Sequence, residues 1–296
     1  MVKRWMTLIV ALLLTPWLGA AHAEPTVAAT QAGQGLLWRI EKAGAKPSYL
    51  LGTMHSEDPA IVALSKPVMA ALERSDRVSL EMVMDPDSMD ALSRAMQITS
   101  EPELPEVVGK DFYRQLVQPM SEQGVPEHIL RGMKPWAAAM TLMVPKNNTG
   151  LFLDRVLYLE AIAKAKPVEG LETAAEQVAV FEGLEPADQV QLVKEALKAY
   201  PQLEQTYAEL RDAYLKHDLQ ALVAINDAAL KDGDPAFVER VNARLIVDRN
   251  LRMAERMQSG LTSGNTFFAV GALHLPGEQG ILQLLRKQGY TVTAVY

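Results

Sequence analysis

Two histidines occupy matching places in two short segments, and their spacing is the strongest chemical signal in the sequence. In Gly52–His55 and again in Gly271–His274, an apolar run leads into a glycine, two further residues and a histidine. With 18 Gly and 5 His in 296 residues, chance predicts fewer than one such match. Each glycine permits a tight exit from a strand with close backbone approach. The two imidazoles are therefore expected at one edge of a sheet, where open α/β folds bind ligands.

Glu81 supplies a carboxylate near the end of a third apolar run, Arg77–Met82. It is expected at the same edge if this strand runs parallel to the first. Together, His55, Glu81 and His274 are a suitable ligand set for a divalent ion such as Mn, Co or Zn. Such an ion would activate water for peptide or ester hydrolysis. The same groups also suit a metal-free centre, in which a histidine is the general base and Glu81 orients it.

Short apolar runs bounded by turn residues predict the strands that position these groups. They cover residues 36–41, 48–53, 77–82, 167–171, 266–272 and 291–296. The segment Ala43–Pro47 separates the first two runs and is typical of a hairpin. Apolar residues at three- and four-residue spacing predict helices between the strands. These helices cover residues 151–164, 173–182, 188–200, 203–217 and 235–257.

This pattern of elements predicts the fold class. Few strands, many helices and strand–helix alternation at both ends favour an α/β fold with a large helical insertion. No linker of disordered composition divides the chain, so one domain is expected over residues 36–296. Residues 24–35 are small and polar, which is typical of a flexible lead-in.

The first 23 residues have the pattern of a secretory signal peptide. Lys3 and Arg4 form a short basic region, and an apolar run from Met6 to about Leu18 follows. Ala21 and Ala23 are the small residues that a signal peptidase reads, so cleavage is expected after Ala23. The apolar run is shorter than the roughly 20 residues of a membrane-spanning helix. The sequence therefore predicts export to a bacterial periplasm, without stable membrane insertion after cleavage.

Composition excludes several classes of function. The chain contains no cysteine, so it holds no disulfide, zinc ribbon, iron–sulfur cluster or thiol nucleophile. Its formal charge of -7 argues against a nucleic-acid partner, which would favour a basic surface. It has no G-x-S-x-G elbow, no G-x-G-x-x-G fingerprint and no P-loop motif. Standard serine hydrolases and routine nucleotide enzymes are therefore not expected.

An ordered set of segments resembles the TraB/GumN family, which is similar to the Tiki superfamily of erythromycin-esterase-like and ChaN-like proteins. The segments are G-T-M-H (52–55), S-L-E-M (79–82), L-D-R-V-L-Y-L-E-A-I-A-K-A-K-P-V-E-G-L-E-T (153–173), D-R-N-L-R-M-A (248–254) and V-G-A-L-H-L-P-G-E-Q-G (270–280). The resemblance covers nearly all of residues 36–296. It implies an erythromycin esterase/ChaN-like α/β fold, with a small, mainly parallel sheet and pseudo-repeated halves. It also implies a centre built from His55, Glu81 and His274. Tiki-like members resemble divalent-metal-dependent proteases, which favours the metal hypothesis.

Four further residues fall on positions that match the family. Arg249 would neutralise a substrate carboxylate or a developing oxyanion, or else be an ordinary charge on a helix surface. Asn250 follows it in the matched pair. Asp154 lies at a predicted helix start, where stabilisation of the helix N-terminus alone would explain an acid. Glu172 ends a strand run and would hold a histidine tautomer from outside the ligand set.

These observations lead to one functional hypothesis and two alternatives. The leading hypothesis is an exported hydrolase, a metal-dependent peptidase-like enzyme acting on a peptide or small-molecule substrate. One alternative is a metal-independent esterase in which His55 is the base. The other is a non-catalytic periplasmic protein that binds haem or a peptide in the same cleft, because the family includes haem-binding members.

Overall fold

The computed structural model describes residues 34–100, 102–146, 149–230 and 233–296. The predicted signal peptide, residues 1–23, lies outside the described residues, as do residues 24–33 of the predicted lead-in. Six strands were predicted, and the structure has a strand close to each predicted position. They are β1 (Leu37–Glu41), β2 (Ser48–Thr53), β3 (Arg77–Met82), β4 (Val168–Glu172), β5 (Thr266–Gly271) and β6 (Thr291–Ala294).

The six strands form one sheet in the order β4-β3-β5-β2-β1-β6. β1 and β2 form the predicted antiparallel hairpin, and β6 pairs antiparallel with the other side of β1. β5 pairs in parallel with both β2 and β3, and β3 pairs in parallel with β4. The strands that lead to His55 and Glu81 are therefore parallel, as the prediction for Glu81 required.

Burial along the strands agrees with their places in the sheet. β5 is central, and its segment TFFAVG is buried from Thr266 to Val270. A parallel strand that is covered on both faces reads as a continuous apolar run rather than as an alternating one. The edge strand β6 is exposed at three of its four positions. The α/β class and the mainly parallel sheet are confirmed. The pseudo-repeated halves and the erythromycin esterase/ChaN-like fold stay predictions.

Fifteen α-helices lie in the described part of the chain, and proline is the first residue of several of them, where its missing N–H costs nothing. They are α1 (Pro59–Val62), α2 (Lys66–Arg74), α3 (Pro86–Ala95), α4 (Leu104–Val108), α5 (Lys110–Glu122), α6 (Glu127–Arg131), α7 (Pro135–Leu142), α8 (Leu153–Ala163), α9 (Ala174–Glu182), α10 (Pro186–Ala199), α11 (Leu203–Leu215), α12 (Leu219–Leu230), α13 (Pro235–Asn242), α14 (Asp248–Ser263) and α15 (Ile281–Lys287).

The helix predicted over residues 235–257 is interrupted in the structure. A π-helical segment, Ala243–Val247, separates α13 from α14. Such a segment inserts an extra residue into the helical turn and changes the direction in which the following side chains point. Periodicity alone does not reveal it, because the apolar positions on both sides remain three and four residues apart. Arg249 and Asn250 lie in the first turn of α14, directly after this segment.

The described residues group into two compact units. The sheet unit contains the strands and comprises residues 34–84, 151–173 and 209–296, apart from the undescribed residues in that range. The helical unit comprises residues 85–150 and 174–208, again without the undescribed residues, and its named elements are helices. The boundary near residue 208 falls inside α11. The prediction of one domain over residues 36–296 stays a prediction.

The sheet unit holds a continuous apolar core and every predicted site residue. Its largest fully buried side chains are Trp38, Phe267 and Phe268. Trp38 lies on β1 and the two phenylalanines lie on β5, on either side of β2, so burial of the core holds in place the strands that carry the site. In the part of the chain that is described, no helix is both long enough and apolar enough to cross a membrane.

Candidate functional site

The carboxyl ends of β2, β5 and β3 bring the three principal residues to one edge of the sheet. His55 follows the end of β2 by two residues, and Glu81 is the second-last residue of β3. His274 ends the short 3-10 turn Ala272–His274, which follows β5 directly. Because the three strands are parallel neighbours, their ends lie side by side.

The two motif glycines have different physical roles. A Cβ on Gly52 would lie 2.7 Å from Leu275 Cδ1 and 3.1 Å from the backbone of Ala272, so the close approach expected there is present. A Cβ on Gly271 would meet His274 Cδ2 at 3.4 Å and Glu81 Oε2 at 3.6 Å, which are ordinary contacts. Gly271 contributes its backbone N–H instead, which donates to Glu81 Oε2 at 3.0 Å.

Glu81 is held in the ionised form by its partners. Its side chain is 10% exposed, and Oε1 lies 2.5 Å from Arg249 Nη2. Burial alone would raise the pKa of this carboxyl, but Arg249, His274 and the Gly271 N–H favour the charged form and lower the pKa to about 2. Glu81 is therefore a carboxylate at any physiological pH.

Arg249 connects Glu81 to a second buried carboxylate, Glu172. Arg249 donates from Nε to Glu172 Oε2 at 2.8 Å, and its Nη2 contacts the same oxygen at 2.5 Å. Arg252, one turn later on α14, donates to Glu172 Oε1 at 3.1 Å. Two arginines and two carboxylates thus form a neutral network. Arg249 is only 3% exposed, so the structure places it between carboxylates rather than on a helix surface.

The ring orientation of His274 is fixed by Asn250. Asn250 Nδ2 donates to the backbone carbonyl of Gln279 at 2.9 Å, which turns its Oδ1 toward the histidine. His274 Nδ1 lies 2.5 Å from that Oδ1. Because an amide oxygen only accepts, Nδ1 carries the proton and Nε2 keeps its lone pair. Burial, and then Arg249, lower the pKa of His274 to about 3 against the attraction of Glu81, so the imidazole is neutral.

Among the described residues, no hydrogen-bond donor contacts the lone pair of His274 Nε2. This atom is buried, and it makes no hydrogen bond with any described residue. Glu81 Oε2 lies 4.0 Å from it, and that atom is also an acceptor. Two acceptors at this distance repel each other unless a cation or a hydrogen-bond donor contacts both. The pair therefore has the chemistry of a binding site for a metal ion or a proton donor.

His55 lies beside the same carboxylate, on an aromatic support. Its ring packs at a tilt against Phe152, with 3.7 Å between centroids and 37° between planes. Its ring nitrogens are buried. Burial lowers the pKa of His55 to about 3, although Glu57 and Glu81 attract the protonated form. His55 is therefore neutral as well, which is the form that binds metals and accepts protons.

Asp154 differs from the other acids in the sheet unit. It lies in the first turn of α8, as predicted, but its side chain is buried and accepts a hydrogen bond from Thr53 Oγ1 at 2.8 Å. Burial, and then the charge of Glu81, raise the pKa of Asp154 to about 7. Its carboxyl group can therefore gain or lose a proton near neutral pH.

The predicted metal-ligand set stays a prediction. The described residues contain no group of three or more His, Asp or Glu side chains arranged to hold one metal ion. His274 and Glu81 have donor atoms of the type that coordinates a metal ion, whereas Arg249 already balances the charge of Glu81. The roles of His55, Glu81 and His274 as metal ligands therefore stay predictions.

Sequence reasoning missed several contributors to this site. The supporting residues Thr53 and Phe152 carry no chemical signal of their own, and the Gly271 N–H belongs to the backbone. Arg252 could have been predicted from the sequence, because a three-residue spacing from Arg249 places it on the same helix face. His55, Glu81, Arg249, Asn250, Asp154, Glu172 and His274 all lie in the sheet unit.

Comparison with known proteins adds a family and two kinds of relative. The profile of the TraB/PrgY/gumN family matches residues 36–294. Uncharacterized protein YbaP of Shigella flexneri is 25% identical over 248 residues, which are 82% of this chain and 89% of that protein. Metalloprotease TIKI1 of Danio rerio is 24% identical over 308 residues, and metalloprotease TIKI2 of the same species is 23% identical over 317.

The two metalloproteases are longer than the region they share with this chain. Each alignment covers 86% of this chain but only 62% of TIKI1 and 60% of TIKI2. The chain therefore spans about three fifths of their length. No solved structure matches the chain significantly.

Proposed function

The chain belongs to the TraB/PrgY/gumN family, and from that premise we propose that it is an exported hydrolase that cleaves peptide bonds with the help of a divalent metal ion. The distant relatives named metalloproteases support the choice of reaction. The edge of the sheet at which His274, Glu81 and His55 lie supports the choice of site.

One observation carries the proposal. His274 Nε2 is a buried lone pair that no described residue satisfies, and it lies 4.0 Å from the carboxylate oxygen Glu81 Oε2. Leaving a buried polar atom unsatisfied costs about 1–3 kcal/mol. Such an atom is retained at a site where a ligand supplies the missing contact.

In the proposed enzyme, His274 and Glu81 hold the ion, and His55 provides the third protein ligand. Mn, Co and Zn all accept a set of two imidazoles and one carboxylate. A bound ion of this kind polarises a carbonyl group and lowers the pKa of water.

The surrounding residues position this centre and move protons. Arg249 and the Gly271 N–H each hold one oxygen of Glu81, so the carboxylate keeps one orientation. Asn250 keeps the lone pair of His274 on Nε2. Asp154, with its pKa near 7, is the group able to deliver a proton to a leaving amine at neutral pH.

Export is part of the proposal and depends on residues 1–23. Their basic region, apolar run and Ala21–Ala23 site favour cleavage after Ala23 and release into a periplasm. The test is to express the full chain in a bacterium and to separate the periplasmic and cytoplasmic fractions. The N-terminal residue of the exported protein is then determined. Glu24 at the N-terminus of a periplasmic protein is expected, and an uncleaved cytoplasmic chain would contradict export.

The metal centre is tested on the secreted protein, purified without chelator. We expect about one equivalent of Mn, Co or Zn per chain by elemental analysis, together with hydrolysis of a peptide mixture that a chelator abolishes. The His55→Ala/His274→Ala variant should lose both. His128→Ala is the matched control, because His128 is exposed on α6 in the helical unit. Hydrolysis that persists after dialysis against chelator would favour the metal-free centre, in which a histidine is the general base, instead.

A further inference from the structure

A small cavity lies inside the sheet unit beside the strand that leads to His55. Its volume is about 40 Å³, and Leu51, Ile61, Val68 and Leu153 form its apolar walls. A single buried water needs about 10–15 Å³ on this scale. The cavity therefore has room for about three water-sized groups, which matches a branched aliphatic side chain and not an aromatic ring.

Two residues in the walls of the cavity are close in sequence to residues of the candidate site. Leu51 precedes Thr53 by two residues in β2, which corresponds to about 7 Å along the strand. Leu153 directly precedes Asp154 on α8. Thr53 and Asp154 are hydrogen-bonded to each other, so the two walls meet at a polar pair of the site.

Tyr214 also links the cavity to the site. It lines the cavity, and its hydroxyl donates to the carbonyl of Gly52 at 2.8 Å. Burial, and then the charge of Asp154, raise the pKa of Tyr214, which shows that the phenol lies within electrostatic reach of that acid. The hydrogen bond to Gly52 satisfies the hydroxyl, so Tyr214 presents mainly its ring to the cavity.

The walls favour an uncharged occupant. Among the described residues that line the cavity, none is Asp, Glu, Lys or Arg. The one histidine, His217, stays neutral because burial lowers its pKa. No side chain of these walls offers a counter-ion to a charged occupant.

One polar atom in the wall has no partner. Ser65 Oγ is buried and makes no hydrogen bond with any described residue. Ser65 is the N-cap of α2, but its side chain makes no capping hydrogen bond, and the second helical residue, Pro67, has no N–H to donate. Because this oxygen has almost no accessible surface, an occupant of the cavity does not reach it, and recognition depends on the apolar walls.

We propose that this cavity is a specificity subsite that takes the branched aliphatic side chain of a peptide substrate. The inference rests on the proposed function for the reaction that follows binding. Recognition itself depends only on the cavity, so the two can be tested separately.

Binding is measured first, on the catalytically silent His274→Ala variant of the secreted protein. The probes are N-acetyl-leucinamide, N-acetyl-glycinamide, N-acetyl-aspartamide and N-acetyl-phenylalaninamide, observed by ligand-detected NMR. The leucine probe is expected to bind about tenfold or more tightly than the other three. Equal binding of the leucine and glycine probes, or no binding of the leucine probe, would overturn the subsite.

Two substitutions then change the cavity in opposite directions. Ala60→Leu fills it from an exposed position in α1 and should weaken leucine binding about tenfold or more, whereas Leu64→Ala enlarges it and should improve binding of the phenylalanine probe. The matched control is Ala163→Leu, an exposed position at the end of α8 outside the cavity. An Ala60→Leu protein that binds leucine as the parent does would contradict the proposal.

Cleavage data separate this inference from the proposed function. If the parent protein cleaves a peptide mixture, its products should place Leu, Ile or Val at one fixed position relative to the cut, and Ala60→Leu should remove that preference. Cleavage with no such preference would refute the subsite and leave the hydrolase intact. Selective binding of the leucine probe without any hydrolysis would support the subsite and refute the enzyme.

Discussion

Arg249 and Glu81 form an ion pair in which both side chains are withdrawn from water. Their exposed fractions are 3% and 10%, and Nη2 lies 2.5 Å from Oε1. The guanidinium also donates a hydrogen bond to Glu172, so one arginine holds two carboxylates from different strands. This geometry makes Arg249 a positioning residue for Glu81. Its predicted role as a direct ligand for substrate charge stays a prediction.

Replacing Arg249 should therefore affect stability strongly. Arg249→Ala leaves Glu81 and Glu172 buried without their shared counter-ion, and the free energy of unfolding should fall by about 3–5 kcal/mol. Urea denaturation at neutral pH measures the change. Arg252→Ala is the control, because Arg252 is 31% exposed and contacts only the outer oxygen of Glu172, so its loss should cost about 1 kcal/mol or less. Equal costs for the two variants would contradict the positioning role.

Asn250 should control the tautomer of His274. In the parent protein, ¹⁵N NMR shifts of the imidazole are expected to show a protonated Nδ1 and an unprotonated Nε2. Asn250→Leu removes the acceptor, so the tautomer preference should weaken and metal affinity should fall about 10–100-fold. Asn250→Asp retains an acceptor and should keep the parent tautomer. A leucine variant with unchanged imidazole shifts would show that Asn250 does not orient the ring.

Asp154 should make stability depend on pH in an unusual direction. Its pKa is raised from 3.8 to about 7 in the folded protein, so the folded state binds more protons than the unfolded state between these values. The free energy of unfolding contributed by this group must then decrease as pH rises from about 4 to about 7. Asp154→Asn stays neutral and lacks this contribution.

The pH prediction is measured as a difference between proteins. From about pH 4.5 to about pH 7.5, Asp154→Asn should gain on the order of 3 kcal/mol relative to the parent in urea denaturation. His55 and His274 titrate in both proteins, so their contributions cancel in the difference. Asp111→Asn, at a 92% exposed side chain, serves as the control and should track the parent. Parallel curves for the parent and Asp154→Asn would rule out the raised pKa.

The strands were predictable because short apolar runs have few alternatives. The run TFFAVG is too short for a helix and too apolar for an edge strand, and it forms the central strand β5. The prediction that Glu81 emerges beside His55 followed from a parallel arrangement, which β5 provides by pairing with both strands. Local pattern and global topology agree at these positions, as they do in foldable sequences.

The contacts that tune the site were beyond sequence reasoning for a physical reason. Periodicity places Asp154 at a helix start, but only the packed structure buries it beside Thr53 and gives it a pKa near 7. The π-helical segment before α14 leaves the apolar spacing intact while it changes where Arg249 points. Burial and side-chain direction depend on residues far apart in sequence, whereas periodicity reports on neighbours along one element.

The two motif glycines provide the last prediction, because they look identical in sequence and differ in the fold. Gly52→Ala places a Cβ 2.7 Å from Leu275 and 3.1 Å from the Ala272 backbone, in a region where Leu275 is fully buried. The turn that carries His274 must shift, so the free energy of unfolding should fall by about 1–3 kcal/mol and metal binding should weaken. Gly271→Ala meets only ordinary contacts and should stay within about 1 kcal/mol of the parent. Urea denaturation and metal titration of the two variants measure the contrast. A Gly52→Ala protein as stable as Gly271→Ala would show that the turn has room to move, and that close approach is not why glycine occupies position 52.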